Sequence, residues 1–112
     1  MPRDDRVYLE HIRDAIERIE QYTKGLDEPE FKRNLLIQDG VIRQLGIIGE
    51  AVKRLSDPFR TSHPGIPWQD IARMRDKLIH DYFGIDVETV WLTVLQDIPP
   101  LKAEVLNSLS KK

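Results

Sequence analysis

A helical bundle is what this sequence predicts, and three observations carry that expectation. Apolar residues recur every three or four positions over long stretches. No stretch alternates convincingly with a period of two, and the prolines that break the pattern fall between the periodic stretches. The expected fold class is therefore all-α, with four to five helices in an up-and-down bundle, built as a single domain over residues 1–112. A chain of this length buries about two-thirds of its unfolded surface, enough for one core without covalent staples.

The first helix is expected over residues 4–24. Tyr8, Leu9, Ile12, Ala15, Ile16, Ile19 and Tyr22 form one buried stripe, and Asp4 and Asp5 complement its positive end. Gly25 is a natural stop, and "GLDEPE" reads as a turn. A second helix is expected from about Pro29 to Leu55, with Phe31, Leu35, Ile42, Leu45, Ile48, Val52 and Leu55 as its main stripe. Gly40, Gly46 and Gly49 lie inside it, each costing about 1 kcal/mol of helix propensity relative to Ala. Two readings of these glycines stay open: close packing within the fold, or close approach at a subunit interface.

"SDPFRTSHPGIP" then reads as a loop with room for a short turn, and His63 within it is expected to be exposed. The third long helix starts near Pro67 or Trp68 and ends at Gly84. A fourth covers about Val87 to Asp97, with Asp86 as its N-cap and with Val87, Val90, Trp91, Val94 and Leu95 buried. Pro99 and Pro100 break or kink the chain before a last short helix that carries Leu101, Val105, Leu106 and Leu109. Trp68 and Trp91 are most simply core or interface anchors.

Composition narrows the function. Seventeen Lys and Arg against nineteen Asp and Glu give a net charge of −2, which is not the footprint of a protein that coats nucleic acid. RNA handling would need a local cationic cleft. The chain has no cysteine, so disulfides, iron–sulfur clusters and thiolate zinc sites are excluded. The first twenty residues are charged throughout, and no run approaches the roughly 20 apolar residues of a membrane span, so a cytoplasmic protein is expected. His11, His63 and His80 are scattered and form no metal-ligand motif, and there is no glycine-rich phosphate loop. No metal and no cofactor are expected.

One segment breaks a local rule. In "RMRDKLIHDYFG", with about 100° between successive residues, Ile71, Ala72, Leu78, Ile79 and Tyr82 form an apolar arc centred on Arg75. A guanidinium does not lose its proton, and burying it unpaired costs several kcal/mol. Three explanations are open: a pair with a carboxylate, for which Glu50 is the obvious candidate; a side chain that reaches the rim; or an arc that lines a cleft for an anion. Asp76 and His80 are four residues apart, so they can pair. Such a pair would orient the imidazole for proton transfer, or would serve only stability. Tyr82 shares the stripe of Arg75.

Together Arg75, His80 and Tyr82 spell R-x4-H-x-Y, with the polar Asp76 directly after the arginine. This resembles the signature of the HEPN superfamily, and specifically of its HepT-like toxins. "IIGEAVKRL" and "GIDVETVWLTVLQDIPPLKAEV" resemble the flanking regions of that family, so the likeness covers essentially the whole chain. The resemblance implies a bundle of HEPN type and a metal-independent endoribonuclease toxin. It implies a homodimer that brings two motifs into one cleft, and an MntA-like minimal nucleotidyltransferase as antitoxin, which transfers AMP to the motif tyrosine, here Tyr82. In that reading Arg75 and His80 are catalytic, with Asp76 and Glu50 supporting them. Two rivals remain: a non-catalytic nucleotide- or substrate-binding companion of a nucleotidyltransferase, and a purely structural bundle in which Arg75–Glu50 and Asp76–His80 are stabilising pairs.

Overall fold

In the computed structural model, residues 3–80 and 86–111 are described, with the side chains of residues 3, 79 and 80 outside that description. The described residues form seven helices and no strand: α1 (Arg3–Thr23), α2 (Glu28–Arg33), α3 (Leu35–Arg54), α4 (Asp57–Ser62), α5 (Trp68–His80), α6 (Val87–Gln96) and α7 (Ile98–Ser110). Five are long and two are six-residue segments, so the all-α expectation holds. None is long and apolar enough to cross a membrane.

The expected second helix is in fact two. Asn34 adopts an extended conformation (φ −110°, ψ 92°) and serves both sides of the break. Its backbone N–H donates to Phe31 O at 3.2 Å, closing α2, while its side-chain oxygen accepts from Ile37 N at 3.0 Å, opening α3. A short amide side chain competes with the backbone for such bonds, which is why Asn favours helix ends over interiors. Buried Gln38 then donates to the Phe31 and Lys32 carbonyls, both at 2.9 Å, so the last turn of α2 is not left unsatisfied. At its other end α2 opens with a capping box between Asp27 and Glu30. The break turns Phe31 fully into the core, with its ring 4.9 Å from that of Trp91. It leaves Leu35 and Leu36 at 73% and 82% exposure, so Leu35 is not part of the buried stripe.

Helix α3 is central. It packs against α1 on one side and α5 on the other; α7 lies on α1, and α6 bridges α7 and α2. Leu9, Ile12, Ile16 and Ile19 of α1 meet Val41, Leu45, Ile48 and Val52 of α3 in one core with Phe31, Trp91, Leu101 and Val105. Gly25, at φ +76°, ends the turn after α1 in the left-handed region that glycine enters without strain. Tyr22 is an edge residue rather than a core one: its ring lies over Gly40, where an added Cβ would sit 3.1 Å from it. Leu95 and Leu106, expected inside, are largely exposed. The chain does break before the prolines, α6 ending at Gln96 and α7 starting at Ile98, and Pro99 and Pro100 occupy the first turn of α7, where a missing N–H costs little. The first and last helices touch, with Arg6 Nη1 donating to Leu109 O at 3.4 Å and Lys102 paired with Glu20 at 2.8 Å.

Two devices fix the long helices relative to one another. Asp5 is almost wholly buried, and its carboxylate accepts from Ser56 N at 2.8 Å and Ser56 Oγ at 2.6 Å. It thus holds the start of α1 against the junction after α3. Ser56 in turn caps α4, which the sequence presents only as a possible turn. The second device is a contact between α5 and α3 at Gly49. A Cβ placed there would lie 2.1 Å from Arg75 Cβ and 3.2 Å from Ile71 O. Only a residue without a side chain permits this approach, so the close-packing reading of the glycines holds at Gly49.

Around the α4–α5 connection, Phe59, His63 and Trp68 pack together. His63 is half-buried rather than exposed: Nδ1 lies 2.8 Å from Phe59 O, and Nε2 lies 3.0 Å from Glu104 Oε1 on α7. Trp68 Nε1 donates to His63 O at 2.9 Å, so Trp68 is a core anchor with its polar atom satisfied.

Gly49→Ala should destabilise the chain by about 1–3 kcal/mol, because the colliding atoms belong to a side-chain stem and a backbone carbonyl rather than a flexible tip. Thermal denaturation measures this, and an unchanged midpoint would contradict the contact. Asp5→Ala should cost a similar amount, about 1–3 kcal/mol, by leaving the Ser56 donors without their acceptor; urea titration of both variants separates the two effects.

Candidate active site

The site forms where α5 lies on α3. Because Gly49 offers no side chain, the aliphatic stem of Arg75 rests directly on the α3 backbone. The guanidinium passes beyond that contact and stays partly accessible, at 28% exposure. Arg75 Nε faces Glu50 Oε2 at 3.3 Å, and Nη1 donates to Asp76 Oδ1 at 3.3 Å. Of the three explanations open for this arginine, the carboxylate partner and the rim position both apply, and they do so together.

Asp76 is held from two sides, by Arg75 and by Lys53 of α3. The Lys53 ammonium, and after it the Arg75 guanidinium, hold the Asp76 carboxyl below its ordinary value. Glu50 and Lys53 follow Gly49 on α3 by one and four residues and meet Arg75 and Asp76, respectively, on α5. The four side chains make a reciprocal clamp of alternating charge around one backbone contact. All are partly exposed, so the clamp sets register more than it adds stability. Glu50 is shared further: its other oxygen receives Arg54 Nε at 3.1 Å.

Arg75 and Glu50 also line an open groove of about 360 Å³ between α1, α3 and α5. Gly46, Ile47 and Ala51 form its floor, and Arg43 and His11 complete its rim. Arg43 has no carboxylate partner among the described residues. The groove thus offers an apolar floor and basic side chains, a combination suited to a nucleotide's base and phosphate.

Helix α5 runs through His80, as the sequence predicts. The His80 side chain, the expected Asp76–His80 pair and Tyr82 lie outside the described residues. The structure thus brings Arg75, Asp76 and Glu50 together. It adds three residues that sequence reasoning did not nominate: Lys53, Arg43 and His11. The signal for Lys53 was present in "IIGEAVKRL", where an acid and a base about one turn apart follow Gly49. Nothing in the sequence singled out Arg43 or His11. Among the described residues, no three His, Asp or Glu side chains gather so as to hold a metal ion.

Comparison with known proteins is consistent with this geometry. A family model described as ribonuclease HepT-like matches residues 12–107. A protein of Thermococcus cleftensis named a probable ribonuclease HepT is 50% identical over 104 residues, covering 93% of this chain and 94% of its own. A protein of Caldanaerobacter subterraneus named a putative RNase is 43% identical over 107 residues, or 96% of each chain. A Methanocaldococcus jannaschii protein named a gamma-glutamylcyclotransferase and putative RNase is 46% identical over 99% of this chain, which spans only 50% of that protein's length. No solved structure matches at a significant level. With the family model spanning most of the sequence and relatives near half identity, the chain belongs to the HepT-like ribonuclease family.

Proposed function

We propose that this protein is a metal-independent endoribonuclease that acts as a toxin, cutting RNA in a composite site at the cleft of a homodimer. The observation that carries the reading is Arg75: a guanidinium placed by Gly49 at the rim of an open basic groove, on a helix that continues to His80. RNA brings its own nucleophile, the 2′-hydroxyl. Its oxygen attacks the adjacent phosphorus while the bond to the 5′-oxygen breaks, giving a cyclic phosphate and a new 5′-hydroxyl.

Three tasks follow, and the residues suit them. One imidazole removes the 2′-hydroxyl proton, and an imidazolium supplies a proton to the leaving oxygen. Two copies of His80, one from each subunit, divide those roles. Arg75 binds the phosphate with its planar fork and stabilises the charge that builds on it. Glu50 and Asp76 aim that fork. A local basic groove also reconciles an RNA substrate with a net charge of −2.

The activity needs restraint, and Tyr82 is the proposed point of control. A partner nucleotidyltransferase of MntA-like type transfers AMP from ATP to the Tyr82 oxygen, which attacks the α-phosphorus and releases pyrophosphate. In this reading the added adenylyl anion competes with RNA phosphate for Arg75 and offsets its charge, Tyr82 following Arg75 by seven residues in the sequence.

A second reading is favoured by a specific observation: in the lone chain Arg75 is already paired with two carboxylates. A non-catalytic nucleotide-binding companion of a nucleotidyltransferase would retain just such an arginine.

Cleavage of a single-stranded RNA probe separates the readings. Arg75→Ala and His80→Ala should each lower the rate by about 10²–10⁴-fold with the fold intact by circular dichroism. A wild type that binds nucleotide but leaves RNA whole would favour the companion. Incubation with the partner enzyme and ATP should add one adenylyl group by intact mass and suppress cleavage. Tyr82→Phe should gain nothing and keep cutting.

A further inference from the structure

Two carboxylates meet the Arg75 guanidinium, and each of them also carries a second cation. Glu50 takes Arg54 at 3.1 Å on Oε1, the oxygen that Arg75 leaves to it. Asp76 is arranged differently: Lys53 and Arg75 converge on the same oxygen, Oδ1. One oxygen thus serves two competing donors. Arg75 Nη1 reaches it at 3.3 Å, beyond the roughly 2.7–2.9 Å of a close charge-assisted hydrogen bond.

Lys53 has no other partner among the described residues. It stands four residues after Gly49, so it projects from the side of α3 that receives the Arg75 stem. Lys53 and Asp76 are both partly exposed, and a pair of that kind contributes about 0–1 kcal/mol. Stability is therefore a poor reason for a lysine at this point.

The charges around Arg75 supply a better one. Without Lys53, Asp76 would have Arg75 as its only cation among the described residues and would close on it. A guanidinium clamped between two carboxylates has its N–H donors occupied, and the negative charge beside it opposes an incoming phosphate. With Lys53 in place the Asp76 carboxylate is engaged elsewhere. The Lys53 ammonium, ahead of Arg75, is the main cause that holds this carboxyl below its ordinary value.

We propose that Lys53 is a positioning residue of the site: by taking the shared Asp76 oxygen, it keeps Arg75 from locking onto that carboxylate and leaves the guanidinium open to a phosphodiester. The inference rests on the reading of Arg75 as the phosphate ligand and deepens it. Asp76 then has a divided role. While Lys53 holds it, it aims the guanidinium; released from Lys53, it competes with the substrate.

The test uses the full chain and a single-stranded oligonucleotide with 2′-O-methylated riboses. This probe lacks the attacking hydroxyl, so binding is read without cleavage. Fluorescence anisotropy at fixed salt gives the dissociation constant. Lys53→Gln should raise it about tenfold with little change in the thermal melt, and Lys53→Arg should keep it near wild type. Asp76→Asn should weaken binding about threefold in the wild-type background, where the carboxylate aims Arg75. In the Lys53→Gln background it should strengthen binding about fivefold, because the competing carboxylate is gone. A lysine that only touched the phosphate, or only added positive charge, would not give this reversal. Asp76→Asn acting in the same direction in both backgrounds therefore overturns the role of Lys53 while leaving Arg75 as the phosphate ligand. Binding no weaker in Arg75→Ala than in wild type overturns both.

Discussion

The contact of Arg75 with the bare backbone at Gly49 is the constraint on which the rest of the site depends. It sets how closely α5 lies on α3 and where along α3 the crossing falls. From that crossing the charges follow. Glu50 and Lys53 both follow Gly49 within about one turn, and Arg75 and Asp76 are adjacent on α5, so the four meet in alternation. Shifting the crossing by one turn would take Arg75 away from Gly49 and from its carboxylate. The ion pairs specify register, and the apolar packing behind them supplies the stability.

The same crossing explains why an arginine can occupy the centre of an apolar arc. Its methylenes serve as the apolar part, covering α3 as a leucine would, while the charged end emerges beyond the contact. A residue that packs with its stem and presents its head is held more firmly than a surface arginine. That matters for the proposed reaction, since a pre-positioned donor loses less freedom on binding a phosphate.

How much of this was legible depends on which physical property each residue expresses locally. The pairing of Arg75 with Glu50 could be read, because a buried guanidinium demands a carboxylate and the glycine-rich helix offered one. The pairing of Asp76 with Lys53 could not. His80 is its local neighbour at four residues, whereas Lys53 reaches it only once the crossing is fixed, and helix register is not encoded in the periodicity of either helix alone. The break at Asn34 was hidden for a related reason: Phe31 and Leu35 are four residues apart and mimic one continuous stripe, although the backbone unwinds between them. Tyr22, Leu95 and Leu106 point in the expected direction, but periodicity does not say how far the neighbouring helix extends to cover them. The helical class itself was plain, since every long element repeats its apolar residues at helical spacing.

The meeting of α1 with α7 has a consequence for the order of assembly. Arg6 and Leu109 are joined although 103 residues separate them, and Glu20 and Lys102 although 82 do. Closing so long a loop is entropically slow compared with docking neighbours such as α3 and α5. On a ribosome α3 can cover much of the apolar side of α1 by mid-chain. The edge of α1 that faces α7 would wait without its cover until α7 had emerged, open meanwhile to chaperones or to other nascent chains.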